Sequence, residues 1–357
     1  MKKRVVVAMS GGVDSSIAAY LLKREGFEVI GVTMHFGITK DRSLYCQLEE
    51  IGDAKKVCEK LEIKHYILNF SEIFEEKVIK DFVWEYLKGR TPNPCIRCNQ
   101  SIKFGTLFKK IKEFSAQYLA TGHYARIEKN QRFLLKKAKD RKKDQSYFLY
   151  QIKKEYLPYI IFPLGRLKKK EVREIAKDID LPVAEKSASQ EICFIPGADY
   201  HRFIRCRLAQ INADIKPGLI LDKKRNLLGF HKGIPFYTIG QRQGLNISNK
   251  PGPFYVILID PKKNEIIVGA KEDTKSCGLI AGELNFISID FPKKLVALKA
   301  KIRYNHKEVE SKIFPLGGKK VKVIFKEPQF AVTPGQSVVF YDRDTVLGGG
   351  IIEKNLG

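Results

Sequence analysis

Arg4-Val5-Val6-Val7-Ala8-Met9-Ser10-Gly11-Gly12-Val13-Asp14-Ser15-Ser16 is the passage that decides the fold of this chain. Arg4–Ala8 is a short apolar run of β-branched residues, which reads as a buried strand. Asp14–Glu25 carries helical periodicity and is closed by Gly26. Between them, two glycines let the backbone turn tightly and approach a ligand closely. Unpaired amides at a helix start, aided by the helix dipole, bind phosphate. Ser10, Ser15 and Ser16 add hydroxyls, and Asp14 can cap the helix or help hold a metal. The G-x-x-x-x-G-K-[ST] phosphate loop is absent, so the passage is not a loop of that type.

Outward from this passage the alternation continues. Glu28–Thr33, Lys64–Asn69 and Gln117–Gly122 read as strands. Glu49–Leu61, Ser71–Lys88 (with Ser71 as cap) and Ile102–Phe114 read as helices. Gly89–Asn99, with two prolines, reads as a loop. Strands alternating with helices imply an α/β doubly wound parallel sheet with ligands at the carboxyl ends of its strands. Past about residue 205 Gly, Pro and β-branched residues dominate. Phe254–Ile259 and Glu265–Gly269 read as a hairpin, and Leu295–Arg303, Lys320–Phe325 and Ser337–Tyr341 as strands of a small barrel. The expected organisation is a catalytic unit over 1–204, a β-rich unit over 205–275, and a β-barrel over 276–357.

At 357 residues the chain suits two or three domains, and its 44% hydrophobic content supports proper cores. Lys and Arg number 65 against 40 Asp and Glu, a net charge of +25 that favours a polyanionic partner. No apolar run approaches the roughly 18 residues of a membrane span. The apolar stretch after Met1-Lys2-Lys3-Arg4 is too short for a secretory signal, so a cytoplasmic location is expected. Seven cysteines (Cys46, Cys58, Cys95, Cys98, Cys193, Cys206, Cys277) follow no period. In that compartment they read as reactive or metal-binding thiols among ordinary buried ones. Cys95-Ile96-Arg97-Cys98 precedes a helix, and Arg97 lies beside the thiols in sequence. A helix N-terminus and a nearby cation lower a thiol's pKa and favour the nucleophilic thiolate. Cys193 lies in an apolar run that also suits a buried, inert cysteine.

Taken in order, several strings carry a family resemblance. They are the Ser10–Ser16 loop, TPNPCIRCN (Thr91–Asn99) with Ile102-Lys103-Phe104, TGHYA (Thr121–Ala125), KDQSYFLY (Lys143–Tyr150), SQEICFI (Ser189–Ile195), YTIGQRQGL (Tyr237–Leu245), PGQ with VVFY (Pro334–Tyr341) and VLGGG (Val346–Gly350). The loop resembles the PP-loop of N-type ATP pyrophosphatases, a fold like that of the adenine nucleotide alpha hydrolases. The whole set resembles the tRNA-specific 2-thiouridylases over essentially the full chain. That resemblance implies ATP-dependent 2-thiolation of the wobble uridine in tRNAs of the Lys, Glu and Gln class, with Mg²⁺ accompanying ATP.

The resemblance also implies residue roles. Cys193 carries a persulfide received from a cysteine desulfurase or sulfur carrier, and Cys98 is the nucleophile that pairs with it and releases the sulfur. Ala8, Met9, Ser10, Gly11, Gly12, Val13, Asp14, Ser15, Met34 and Gly122 contact ATP, although Met34 equally suits a core. Asn93, Pro94 and Cys95 meet the target base. His123, Lys143, Asp144, Gln145, Arg303, Tyr304 and Gln336 face tRNA. Some family members carry Asp where this chain has Cys95. Its presence gives three candidate ligands, Cys95, Cys98 and Cys193, for an iron–sulfur cluster with one open iron. A third reading is a different PP-loop enzyme that amidates or adenylates a small metabolite. It would need neither paired cysteines nor a β-rich tail.

Lys136–Lys143 sets six cations in eight residues beside the KDQ string. Such a run is a solvated face or a phosphate-binding surface. If phosphates are the partner, tRNA affinity falls steeply as salt rises from about 50 to 200 mM. Filter binding across that range checks this, and a flat response would exclude a phosphate-binding surface.

Overall fold

The computed structural model describes residues 2–37, 48–187, 192–195, 197, 199–211, 214–245, 247 and 252–357. Its first sheet is five-stranded, ordered β3-β2-β1-β4-β7 and parallel throughout. The strands are β1 (Arg4–Ala8), β2 (Glu28–His35), β3 (Lys64–Asn69), β4 (Tyr118–Ala120) and β7 (Ile160–Ile161). Val5, Val6 and Val7 are fully buried. Val5 and Val7 point into one apolar cluster, Val6 and Ala8 into another, so helices cover both faces. Because β2 and β4 flank β1 on opposite sides, the chain reverses direction across the sheet at β1. That reversal opens a crevice at the strands' carboxyl ends.

Helices α1 (Val13–Arg24) and α2 (Leu48–Lys60) follow β1 and the segment after β2. A longer rod joins α3 (Ser71–Phe74), a π-helical turn over Glu75–Ile79 and α4 (Lys80–Leu87). It buries Phe74, Val78, Phe82 and Tyr86 on one face. The segment expected to be loop up to Asn99 instead turns helical at α5 (Pro94–Cys98). This helix runs on through π-helical Asn99–Leu107 into α6 (Phe108–Lys110). The correction has a local cause. Asn93 caps the helix by accepting from the Ile96 amide, and Pro94 occupies the first turn, where a missing N–H costs nothing.

Beyond β4 a hairpin that periodicity did not reveal, β5 (Ala125–Lys129) with β6 (Phe133–Lys137), leaves the parallel sheet. Helix α7 (Lys169–Asp178) returns to pack against α1. Helix α8 (Tyr200–Gln210) runs unbroken through residues 204 and 205, so the first expected boundary falls inside an element. A four-stranded sheet follows, ordered β10-β11-β8-β9, from β8 (Gly218–Leu221), β9 (Leu227–His231), β10 (Tyr255–Asp260) and β11 (Glu265–Gly269). The last unit contains β12 (Lys275–Asn285), β13 (Val296–Lys301), β14 (Val309–Leu316), β15 (Lys320–Phe330), β16 (Ser337–Asp342) and β17 (Thr345–Leu356). These strands pair in the order β12-β15-β14-β13-β16-β17, and β12 pairs β17 to close a six-stranded barrel. Leu279, Ile313, Val323, Val338 and Phe340 fill it.

The barrel is fastened to the catalytic unit by the KDQSYFLY segment. Tyr147 and Tyr150 are wholly buried, and their hydroxyls meet Ser337 O and Ser337 Oγ, each at 2.9 Å. The glycines of Val346–Gly350 are explained here. A Cβ on Gly349 would stand 2.6 Å from Val338 O and 2.7 Å from the Tyr150 ring. Neither neighbour can retreat from a filled core. Gly349→Ala should therefore destabilise the protein by about 1–3 kcal/mol. The expected readout is a lowered thermal midpoint with earlier proteolytic release of the barrel.

Candidate active site

Gly11 takes φ +71 and lies beneath the start of α2, where a Cβ would clash with Glu50 O. Ser10 Oγ and Ser15 Oγ are 3.2 Å apart, and Ser15 and Ser16 each donate to Gly12 O at 3.0 Å. These bonds fix the loop while the first amides of α1 have no intrahelical acceptor, which is the geometry of an anion site. Gly122, at the end of β4, presses on the same loop: its Cβ would stand 2.7 Å from Ser15 N. Ala8 and Met9 are buried, Met9 within the core, so only backbone at these positions can face a ligand. Val13 is buried too, and Met34 is half-buried at the end of β2. Asp14 does not cap α1. Its Oδ1 accepts from Tyr124 OH at 2.8 Å and pairs with Lys169 Nζ at 2.6 Å.

A group of thiols gathers around Lys103, whose charge also reaches His123, the residue after Gly122. Cys98 is buried at the end of α5, whereas Cys95 and Cys193 reach solvent. The three are close enough that the charges of Cys98 and Cys95 act on Cys193, and Lys103 acts on all of them. Burial pushes Cys98 up to about 11 and Cys193 up to about 12, with Lys103 partly opposing the rise. Cys95 is raised for the same first reason. The expectation of thiols acidified by Arg97 is therefore overturned. Arg97 turns away and grips Glu283 of the barrel through two bonds, at 2.6 and 3.0 Å, and Asp81 at 3.2 Å. Lys103, within the IKF string, is the cation the thiols feel, and sequence spacing alone gave no signal of it. Cys58 lies in the core, and Cys206 and Cys277 are free. Cys46 and the Ser189-Gln190-Glu191 part of the Cys193 string lie outside the described residues.

His123 is buried beside Phe104 and Phe162, with its Nδ1 2.6 Å from Thr121 Oγ1. Burial, then the charge of Lys103, holds its pKa well below the ordinary range, so it is neutral at pH 7. Among the described residues, no three His, Cys, Asp or Glu side chains converge as a ligand set for a metal ion. The donor chemistry of three thiols suits an iron–sulfur cluster, but their arrangement here does not.

Thr91 forms part of one wall of a cleft of about 450 Å³ where residues of the three units meet. Thr91, Thr238, Gln241, Arg303, Thr333 and Gln336 line it. Gln336 Nε2 donates to Thr91 O at 2.9 Å and Pro92 O at 3.2 Å, so the barrel braces the segment that leads into the thiols. Arg303 donates to Ala331 O at 2.8 Å and Thr333 Oγ1 at 2.6 Å. Burial lowers its pKa, and no carboxylate pairs with it among the described residues. Tyr304 lies against Phe148 with 4.6 Å between ring centroids. Asn93 caps α5, and Pro94 is buried.

The basic run is largely neutralised. Lys136 pairs with Glu128, Lys137 with Glu308, Lys139 with Glu171 and Arg141 with Asp344. Lys142 and Lys143 remain exposed. Asp144 is buried and accepts from the Ala138 amide, the Ser146 amide and the Ser146 hydroxyl, so its carboxylate organises the turn. Gln145 Oε1 accepts from the Tyr124 amide at 2.9 Å.

Three family profiles match in succession: "tRNA methyl transferase HUP domain" over residues 3–197, "tRNA methyl transferase PRC-barrel domain" over 208–270 and "Aminomethyltransferase beta-barrel domain" over 276–352. The chain is 54% identical over 365 residues to a tRNA-specific 2-thiouridylase MnmA 1 of Caldanaerobacter subterraneus subsp. tengcongensis, covering 100% of this chain and 99% of the relative. It is 48% identical over 361 residues to a tRNA-specific 2-thiouridylase MnmA of Clostridium botulinum, covering 99% and 98%.

With both thiols raised by burial, the thiolate fraction grows only as pH climbs toward those values. Alkylation of Cys98 and Cys193 by iodoacetamide, followed by mass spectrometry, should be slow at pH 7 and still rising about tenfold per pH unit at pH 9. A rate already level at pH 7 would contradict thiols held protonated.

Proposed function

The chain belongs to the tRNA-specific 2-thiouridylase family, and from that premise we propose how its residues divide the work. It is a tRNA-uridine 2-sulfurtransferase that uses ATP and acts on tRNA. In the finer reading, the target is the wobble uridine of the Lys, Glu and Gln class. ATP binds over Ser10–Ser15 with adenine toward Met34, and Mg²⁺ supplies charge neutralisation for its phosphates. The uracil 2-oxygen attacks the α-phosphorus and pyrophosphate leaves, which turns a poor leaving group into AMP. The base is flipped from its stack into the space beside Thr91–Cys95, since both activation and sulfur attack require its exposed edge. Arg303, lacking a carboxylate partner among the described residues, suits a tRNA phosphate at the cleft beside Gln336, with Tyr304 next to it in the chain and Lys143 as a further contact.

Sulfur transfer then balances in two steps. The terminal sulfur of a Cys193 persulfide attacks the activated carbon, and AMP departs. The Cys98 thiolate next attacks the Cys193 sulfur and breaks the S–S bond to the base, leaving 2-thiouridine and a Cys98–Cys193 disulfide for an external thiol to reduce. A desulfurase or sulfur carrier reloads Cys193. The observation that carries this reading is the meeting of Cys98 and Cys193, remote in sequence, within electrostatic reach of one another. The iron–sulfur alternative lacks such support, because the three thiols do not form a ligand set.

Incubating the chain with ATP, a persulfide donor and unmodified tRNA should yield AMP and thiolated uridine in equal amounts. Cys98→Ser should keep tRNA affinity within about twofold while persulfide-dependent thiolation falls by at least roughly a thousandfold. Surviving turnover would remove Cys98 from the nucleophile's role.

A further inference from the structure

Three consecutive lysines, Lys168, Lys169 and Lys170, open α7, and only one is turned inward. Lys170 lies on the surface beside Glu174, and the Lys168 amide donates to Glu171 Oε2 at 2.6 Å. Lys169 is different. Its backbone N–H donates to Asp140 Oδ2 at 2.9 Å, which fixes the start of the helix. Its side chain, 13% exposed, passes the face of Tyr124 and ends 2.6 Å from Asp14 Oδ1 in the first turn of α1. Asp14 follows directly on the phosphate-type loop, which Gly122 presses from the other side, so the contact brings an ammonium from α7 to that loop.

Stability does not explain this placement. A lysine in the first turn of a helix faces the positive end of the helix dipole, an unfavourable position for a cation. Taking an ammonium and a carboxylate out of water costs as much as their attraction returns, or more. Asp14 Oδ1 already has a donor in Tyr124 OH at 2.8 Å. A cation kept at an anion-binding helix start is explained by an anion that visits.

We propose that Lys169 is a phosphate-binding residue of the nucleotide site, held on Asp14 until the phosphates of ATP replace that carboxylate as its partner. Without nucleotide, the two side chains neutralise each other. On binding, the flexible lysine stem moves the ammonium onto the phosphates, and Asp14 is released toward the cation that accompanies them. Lys169 then stands where negative charge gathers on the departing pyrophosphate, so it serves both affinity and the adenylation step. The inference rests on the ATP-site reading above.

The test measures binding of ATP, AMP and pyrophosphate to the full chain by calorimetry, with tRNA affinity as a control for folding. Lys169→Met should weaken ATP and pyrophosphate about ten- to a hundredfold, the range for a lost charged hydrogen bond, while AMP changes less than about threefold. Lys169→Arg should restore most of the loss. If Lys169→Met does not fold, Lys169→Gln, which keeps length and polarity, gives the same readout. ATP binding equally well to the charge-free variant would overturn the role of Lys169. A wild-type chain that fails to bind ATP would instead overturn the nucleotide site itself.

Discussion

The backbone of Gly122 lies against the backbone of Asp14 and Ser15 so closely that no Cβ fits between them. This contact joins the carboxyl ends of β1 and β4, the two strands between which the sheet reverses its winding. The phosphate-type loop lies on one side of it. On the other, the next residues deliver His123 toward Lys103 and Tyr124 to Asp14. The loop and His123 are neighbours because one glycine lets two strand ends touch.

Burial sets the character of the sulfur site. A thiol removed from water resists ionisation, and here that effect exceeds the help from Lys103. Cysteines held protonated are poor targets for stray oxidants and alkylators. The same burial favours a neutral His123. Cys193 reaches solvent, while Cys98 is buried.

The β-rich units do more than extend the surface. Tyr147 and Tyr150 bind Ser337, Arg97 binds Glu283, and Gln336 holds the carbonyls of Thr91 and Pro92. The barrel thus positions the strand of chain that leads into Cys95 and Cys98. Arg97 spends its charge on this clamp, and four cations of the basic run spend theirs on carboxylates from β5, α7 and the barrel. Lys142 and Lys143 stay exposed, and Arg303 has no carboxylate partner among the described residues.

The sequence by itself determined what depends on neighbours along the chain. β1, the glycine loop and α1 follow from apolar runs, helical period and turn residues, and the parallel sheet follows from their alternation. The barrel strands were legible for the same reason. The helix at Pro94 was hidden because proline marks loops and helix starts alike, and the β5–β6 hairpin because its partner β17 lies some two hundred residues on. Tertiary structure alone decided which charges meet. Arg97 is adjacent to the thiols in sequence yet faces Glu283, while Lys169, far from the loop in sequence, faces Asp14. Electrostatic energy depends on distance and burial in space, and neither is written into spacing along the chain.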